Sequence, residues 1–256
     1  MAENQYGFPT EVLSLPSNGL LYPEDSPLRS GTIDVKYMTA KEEDILTSTN
    51  LIEQGVVITR LLESVIANPK VKLDNMLIGD KNAIMVGTRI LGYGANYEIS
   101  LLDPDTNERV EYTVDLSKLN NKKIDEKLFE NGNKFEFELP NSKRIVGFKL
   151  LTHGDESEIE KTLKDFEKAE KLTGVSYSLT TRLKHQIVSI DGNTDQKDID
   201  NFVDNEFLAL DTRAYRKHLD TITPDIELKF DYTSQTGNLH RLDVPLGIDF
   251  FWPAAE

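Results

Sequence analysis

Start and stop signals crowd the stretch from Ser178 to Ile226, and they confine it to short alternating elements. Leu183, Ile187, Val188 and Ile190 are apolar, and β-branched residues gather at the end. Leu179 to Ile190 therefore reads as a buried strand. Asp191-Gly192-Asn193 is a turn, and Asp195 is placed to cap the helix that follows. That helix should bury Ile199, Phe202, Val203 and Phe207. Asp211 is placed to cap a second helix, with Tyr215 and Leu219 four residues apart on one side, and Pro224 stops it.

The rest of the chain is punctuated in the same way. Residues 1–38 hold short apolar pieces between turn formers, which suits two short strands or an extended arm. Leu20, Leu21 and Tyr22, next to Pro23, would cover either the chain's own core or a neighbouring protein. Thr32 to Met38 alternates Ile33, Val35 and Tyr37 with polar residues and reads as a half-buried strand. Thr39 and Glu42 form a capping box, opening a helix that carries Ile45, Leu46 and Ile52 and ends at Gly55. Val57, Leu61, Leu62, Val65 and Ile66 mark a second helix, which Asn68-Pro69 ends. Asp80 is placed to cap a third, with Gly92 past its end. Two strand pairs follow, at 97–116 and 135–150, and then a charged helix from Glu156 to Leu172 with Ile159, Leu163 and Phe166 inward. The hairpin pattern of 97–116 returns in outline at 226–246, so the two could lie side by side in one sheet. Phe250, Phe251 and Trp252 would dock either on this chain's core or in a neighbour.

Composition excludes more than it identifies. A chain of 256 residues with 38% hydrophobic and 29% charged residues can bury a substantial core, as one large domain or two small ones. No apolar run reaches the roughly 20 residues of a membrane-spanning helix. The first residues lack the basic and then apolar order of a secretory signal. A net charge of −15 opposes binding to phosphate backbones, and the densest basic cluster, Arg213, Arg216, Lys217 and His218, suits the end of its own helix. With no cysteine, disulfides, thiolate catalysis and cysteine-bound zinc are excluded.

The chemical motifs are incomplete. Asp103-Pro104-Asp105-Thr106-Asn107 begins like a calcium loop, but Glu108 and Val114 stand where such a loop needs glycine and a bidentate glutamate. Asp191, Asn193 and Asp195 fail the same test at Gln196 and Phe202, so both stretches read as turns. His153, His185, His218 and His240 lack metal-ligand spacing. No dinucleotide fingerprint, phosphate loop or nucleophile elbow is present.

Three longer motifs carry a resemblance. Leu15 to Pro23 follows a Leu-Pro-x-x-Gly-Leu-Leu-Tyr-Pro pattern; Met38 to Leu46 reads Met-Thr-Ala-x-Glu-Glu-Asp-Ile-Leu; Ile78 to Ile84 reads Ile-Gly-Asp-Lys-Asn-Ala-Ile. With Thr-Arg-Leu-Lys, Asp-Thr-Arg-Ala-Tyr-Arg and a closing Asp-Phe-Phe-Trp-Pro, the chain resembles the T-even-type bacteriophage baseplate hub family over nearly its whole length. The resemblance implies a non-enzymatic structural subunit of the central hub of a contractile tail. It would lie in the virion's tail baseplate and pass through the host cytoplasm during assembly. Its partners would be other hub proteins and the tape measure protein, with no nucleic acid and no membrane insertion; homo-oligomerisation stays open. An assembly factor absent from the mature virion is the alternative. Many relatives carry a Cys-x-x-Cys knuckle at each of two hairpin tips, completing a zinc site. Here the tips read Asp103-Pro104-Asp105-Thr106 and Thr233-Ser234-Gln235-Thr236. The resemblance thus implies two hairpins packed together like a zinc ribbon but without its cysteines, and no cofactor. The expectation is an α+β protein with an N-terminal arm at 1–38, a helical block at 39–94 and an α+β region at 95–256. Leu20, Leu21, Tyr22, Phe250, Phe251 and Trp252 are its candidate interface residues.

Overall fold

A computed structural model describes residues 6–246 and 248–251 of the chain. Strand β1 (Thr10–Ser14) pairs antiparallel with β2 (Thr32–Lys36), and the alternation of β2 buries Ile33 and Val35. The loop between them folds back tightly on itself. Gly19 has φ +75°, and a Cβ there would lie 2.4 Å from the Arg29 carbonyl oxygen, so the approach requires glycine. The Arg29 guanidinium donates to the carbonyls of Gly19, Leu20 and Tyr22 at 3.3, 2.6 and 3.3 Å. Leu20 to Tyr22 consequently lie in turns and form no strand.

The helical block holds four helices: α1 (Ala40–Leu46), α2 (Thr49–Glu53), α3 (Val57–Val65) and α4 (Ile78–Tyr93). The single helix expected from Thr39 to Gly55 is broken at Thr47-Ser48. The Thr47 hydroxyl bonds the Glu43 carbonyl at 2.9 Å, and Ser48 turns extended at φ −70°, ψ 105°. Short hydroxyl side chains compete in this way with helix continuation. Helix α3 buries the expected Val57, Leu61, Leu62 and Val65. Helix α4 begins before the expected cap, so Asp80 lies inside its first turn, and it is Gly94 at φ +83° that follows its end. Gly79 brings that first turn against another segment: a Cβ there would lie 1.9 Å from the Pro224 carbonyl oxygen.

Strands β3 (Asn96–Leu102) and β4 (Arg109–Asp115) form the first expected hairpin. Strands β5 (Phe135–Glu138) and β6 (Ile145–Phe148) form the second pair. Helix α5 (His153–Thr173) starts earlier than expected because Thr152 and Asp155 cap each other: the Asp155 N–H donates to the Thr152 hydroxyl at 3.2 Å, and the Thr152 N–H to the Asp155 carboxylate at 2.9 Å. Ile159 is buried on its inner side, but Phe166 is 39% exposed and packs at a tilt against Tyr177 instead, ring centres 5.1 Å apart.

The strand expected over Leu179 to Ile190 is only one-third strand. Helix α6 (Ser178–Gln186) takes the first part, and β7 (Ile187–Ile190) adds antiparallel to β6. Leu179 and Leu183 are i,i+4, a helical spacing, and only the β-branched end suits a strand. Asp195 caps α7 (Gln196–Asn201) as expected, accepting from the Lys197 and Asp198 N–H groups, and a π-helical turn (Phe202–Glu206) continues it. Helix α8 (Ala209–Ile222) starts at Ala209, so Asp211 sits in its first turn and not at the cap. Strands β8 (Lys229–Thr233) and β9 (Leu239–Asp243) close the chain with the last hairpin.

The result is α+β with several small antiparallel sheets. The two similar hairpins do not share a sheet; β3–β4 and β8–β9 are separate two-stranded ladders joined by side chains. One apolar core runs through all these parts, from Leu15 and Leu21 through Leu61, Leu62 and Ile84 to Phe148, Tyr215 and Phe250.

Candidate interaction site and the clamps beneath it

The candidate interface residues sit deeper than an exposed anchor would. Leu21 and Tyr22 are buried, and Leu20 is half-buried against the same core. Phe250 and Phe251 are buried too; Phe250 meets Tyr97 edge-on at 5.0 Å, and its carbonyl accepts from the Arg89 Nε at 2.8 Å. Of the two places open to each cluster, the structure puts Leu21, Tyr22, Phe250 and Phe251 in the chain's own core. The reason is that neighbouring elements already cover these large apolar side chains. Trp252 lies outside the described residues.

What fixes the Leu15–Pro23 turn is a carboxylate from a different element. Asp80 of α4 is fully buried and accepts from the Ser17 N–H at 2.9 Å, the Ser17 hydroxyl at 2.6 Å and the Tyr22 hydroxyl at 2.6 Å. The Tyr22 oxygen in turn accepts from the Leu77 N–H at 3.0 Å. Burial pushes the Asp80 carboxyl up even against these donors, and pushes the Tyr22 phenol up with it. Two of the motifs read in the sequence, Leu15–Pro23 and Ile78–Ile84, thus meet at one buried carboxylate.

Glu42, in the third motif, is also fully buried. Its carboxylate accepts from Lys36 Nζ at 2.8 Å, the Ser64 hydroxyl at 2.6 Å, and the Thr39 N–H and hydroxyl at 2.9 and 2.7 Å. Burial alone would raise this carboxyl; the donors from Lys36, Ser64 and Thr39 outweigh it and hold the pKa at about 2. Asp211 does similar work for the β5–β6 turn, accepting from the Asn141 N–H and amide at 2.8 Å each and from the Ser142 N–H at 2.9 Å. Against its burial, these bonds hold Asp211 at about 2.

The hairpin tips are clamped by the same device. Asp103 is fully buried. One oxygen accepts from the Asp105 and Thr106 N–H groups at 2.9 and 3.0 Å; the other accepts from the Tyr232 hydroxyl at 2.7 Å and the Gln235 N–H at 2.8 Å. Burial would raise Asp103, but its four donors hold it well below the usual carboxylate range. Asp105 accepts from the hydroxyls of Ser234 and Thr236 and from the Asn238 amide at 2.9 Å, and lies 3.0 Å from His240 Nε2. Those donors hold Asp105 low as well. Behind the tips Tyr112 stacks on Phe230 at 5.4 Å and meets Tyr232 edge-on at 5.2 Å. This donor set does not fit the zinc knuckle that the resemblance implies for many relatives. Thiolates are lacking, and the carboxylate oxygens already accept from N–H and O–H groups of the opposite hairpin.

The histidines are placed apart. His153 is buried near Lys81 and Thr59, His218 stacks on Phe137 at 4.5 Å, and His240 faces Asp105. Among the described residues no group of three or more His, Asp or Glu is arranged to hold a metal ion. No helix among them is long and apolar enough to cross a membrane.

A family described as T4 bacteriophage base plate protein matches residues 13–252. The chain belongs to this family. No curated protein and no solved structure matches it. The match to the T4 base plate family spans all three motifs and both hairpins, so it covers the clamps as well as the core.

Beside the clamped turn lies a cleft of about 730 Å³. Leu21 and Tyr22 back it, Pro23, Pro27 and Val71 form its apolar sides, and Lys70, Lys72 and Lys134 stand around it. Sequence reasoning picked out Leu21 and Tyr22 but missed the lysines, which come from two segments far apart in the chain. No periodicity links Lys70 and Lys72 to Lys134.

Proposed function

We propose that this base plate protein is a non-enzymatic structural subunit of the central hub of a contractile phage tail, working by surface complementarity to neighbouring hub proteins and the tape measure protein. It would be present in the host cytoplasm only while tails assemble, and in the virion thereafter. The observation that carries this reading is the use to which the polar residues of the three motifs are put. Asp80 and Tyr22 hold the remote backbone of Ser17 and Leu77, the Ser17 hydroxyl is bonded to Asp80, and Glu42 is taken up by Thr39, Lys36 and Ser64, so these donors and acceptors are matched inside the protein. Chemistry on a substrate would need such groups free and facing a cavity. A rigid body whose elements are locked together suits a part that must transmit force and present fixed surfaces.

The alternative, an assembly factor that leaves before the virion is complete, is separated by one measurement. Quantitative mass spectrometry of purified virions, normalised to a baseplate protein of known copy number, should find this chain at a fixed stoichiometry. Abundance in infected cells together with absence from virions would instead establish the assembly factor.

A further inference from the structure

We infer that the cleft beside the Leu15–Pro23 turn receives an acidic segment of a different baseplate protein, seating an apolar side chain between Pro23, Pro27 and Val71 and carboxylates against Lys70, Lys72 and Lys134. The inference rests on the baseplate reading above and names the surface that reading needs.

Charge is the first argument. The chain carries 44 acidic against 29 basic residues, yet three lysines and one carboxylate, Asp25, line this cleft. Many lysines of the chain are neutralised internally: Lys36, Lys122, Lys149 and Lys184 each lie within 3 Å of a carboxylate oxygen. Lys70, Lys72 and Lys134 make no ion pair among the described residues, and all three are exposed. A positive, unneutralised spot on an acidic surface steers an acidic partner towards it and away from the rest of the molecule.

Rigidity is the second. The wall of the cleft is the turn that Asp80 and Arg29 hold, with the Tyr22 hydroxyl bonded on both sides. A wall already ordered loses little freedom when a partner docks. The groove beside Phe166 and Val188 is larger, at about 880 Å³, but its lysines, Lys149 and Lys184, are already paired with Asp155 and Asp204 at 2.7 Å. Nucleic acid is the other polyanion that lysines attract, but three charges on a chain of net −15 give it little to hold.

The test uses particles assembled with the full chain. The photo-crosslinking residue benzoylphenylalanine is placed at Asn75, which lines the cleft, and, as a control, at Glu108 in the β3–β4 turn. Irradiation of purified baseplates should link the Asn75 position to one segment of another baseplate protein, rich in Asp or Glu and bearing an apolar residue. In parallel, the triple variant Lys70→Glu, Lys72→Glu, Lys134→Glu should enter baseplates about tenfold less well, as expected for an electrostatically steered contact. Lys41→Glu, Lys161→Glu, Lys197→Glu, with the same change in net charge, should enter normally. A link from Asn75 to DNA, to another copy of this chain or to a segment without acidic residues would overturn the inference, as would no link at all or equal incorporation of the two triple variants. If the unmodified chain is missing from baseplates, it is the baseplate reading that falls; if it is present and the cleft stays unlinked, the cleft assignment alone falls.

Discussion

Glu42 shows what single carboxylates do in this chain. Its pKa is held at about 2, against an ordinary value near 4.5, by donors from Lys36, Ser64 and Thr39. A group whose folded pKa is depressed adds stability that is full above its unfolded pKa and is lost as pH falls towards the folded one. For Glu42 the window runs from about pH 4.5 down to about pH 2, and a shift of this size corresponds to about 3 kcal/mol. Glu42→Gln should therefore be less stable than the parent chain in urea at pH 7 by about that much, with the difference closing as the pH nears 2. A constant difference across that range would mean that the charge of Glu42 contributes nothing. The Thr39–Glu42 contact was legible in the sequence as a capping box; Lys36 and Ser64 were not, since only the folded chain brings them to the same carboxylate. Asp80 and Asp211 show the same limit. A local reading makes each a helix cap, but each instead holds a turn far away in sequence, at Ser17–Tyr22 and at Asn141–Ser142.

At the scale of elements, the paired hairpins are the clearest case of one physical role filled by another chemistry. Cysteine knuckles would join such tips through a metal ion; here Asp103 and Asp105 of one tip are gripped by Tyr232, Ser234, Gln235, Thr236 and Asn238 of the other. Asp105→Ala should loosen the tips without unfolding the core. Amide exchange of residues 233–238 should quicken by about tenfold while that of α4 stays unchanged, because the tips open locally. Unchanged exchange at the tips would show that the aromatic stack of Tyr112, Phe230 and Tyr232 holds them alone. Each hairpin was legible from its alternation and turn residues. That they would pack tip to tip came only from the resemblance, and that they would form separate sheets came from neither. The Leu179–Ile190 stretch was misread because a short apolar run does not separate helix from strand; the i,i+4 pair Leu179 and Leu183 was the available signal.

At the scale of the whole molecule, many short elements around one core are tied by buried carboxylates rather than by disulfides. The Phe250–Phe251 segment is drawn into that core, and the Arg89 side chain, which donates to the carbonyls of Phe250, Gly94 and Asn96, fastens that segment to α4. A body built in this way presents fixed faces, and the cleft beside Tyr22 is one of them. The composition announced an acidic protein, and the motifs announced the family. The cleft was not legible, because it is made by tertiary packing of segments far apart in the chain, around residues 21–28, 70–77, 132–134 and 152. The most direct test of the structural reading is a cryo-electron microscopy map of purified baseplates. Such a map should show density on the central axis into which residues 6–246 fit as one body, hairpin tips joined and the Tyr22 cleft filled by a neighbouring chain. Density for this chain only at the baseplate periphery, or none in complete particles, would contradict it.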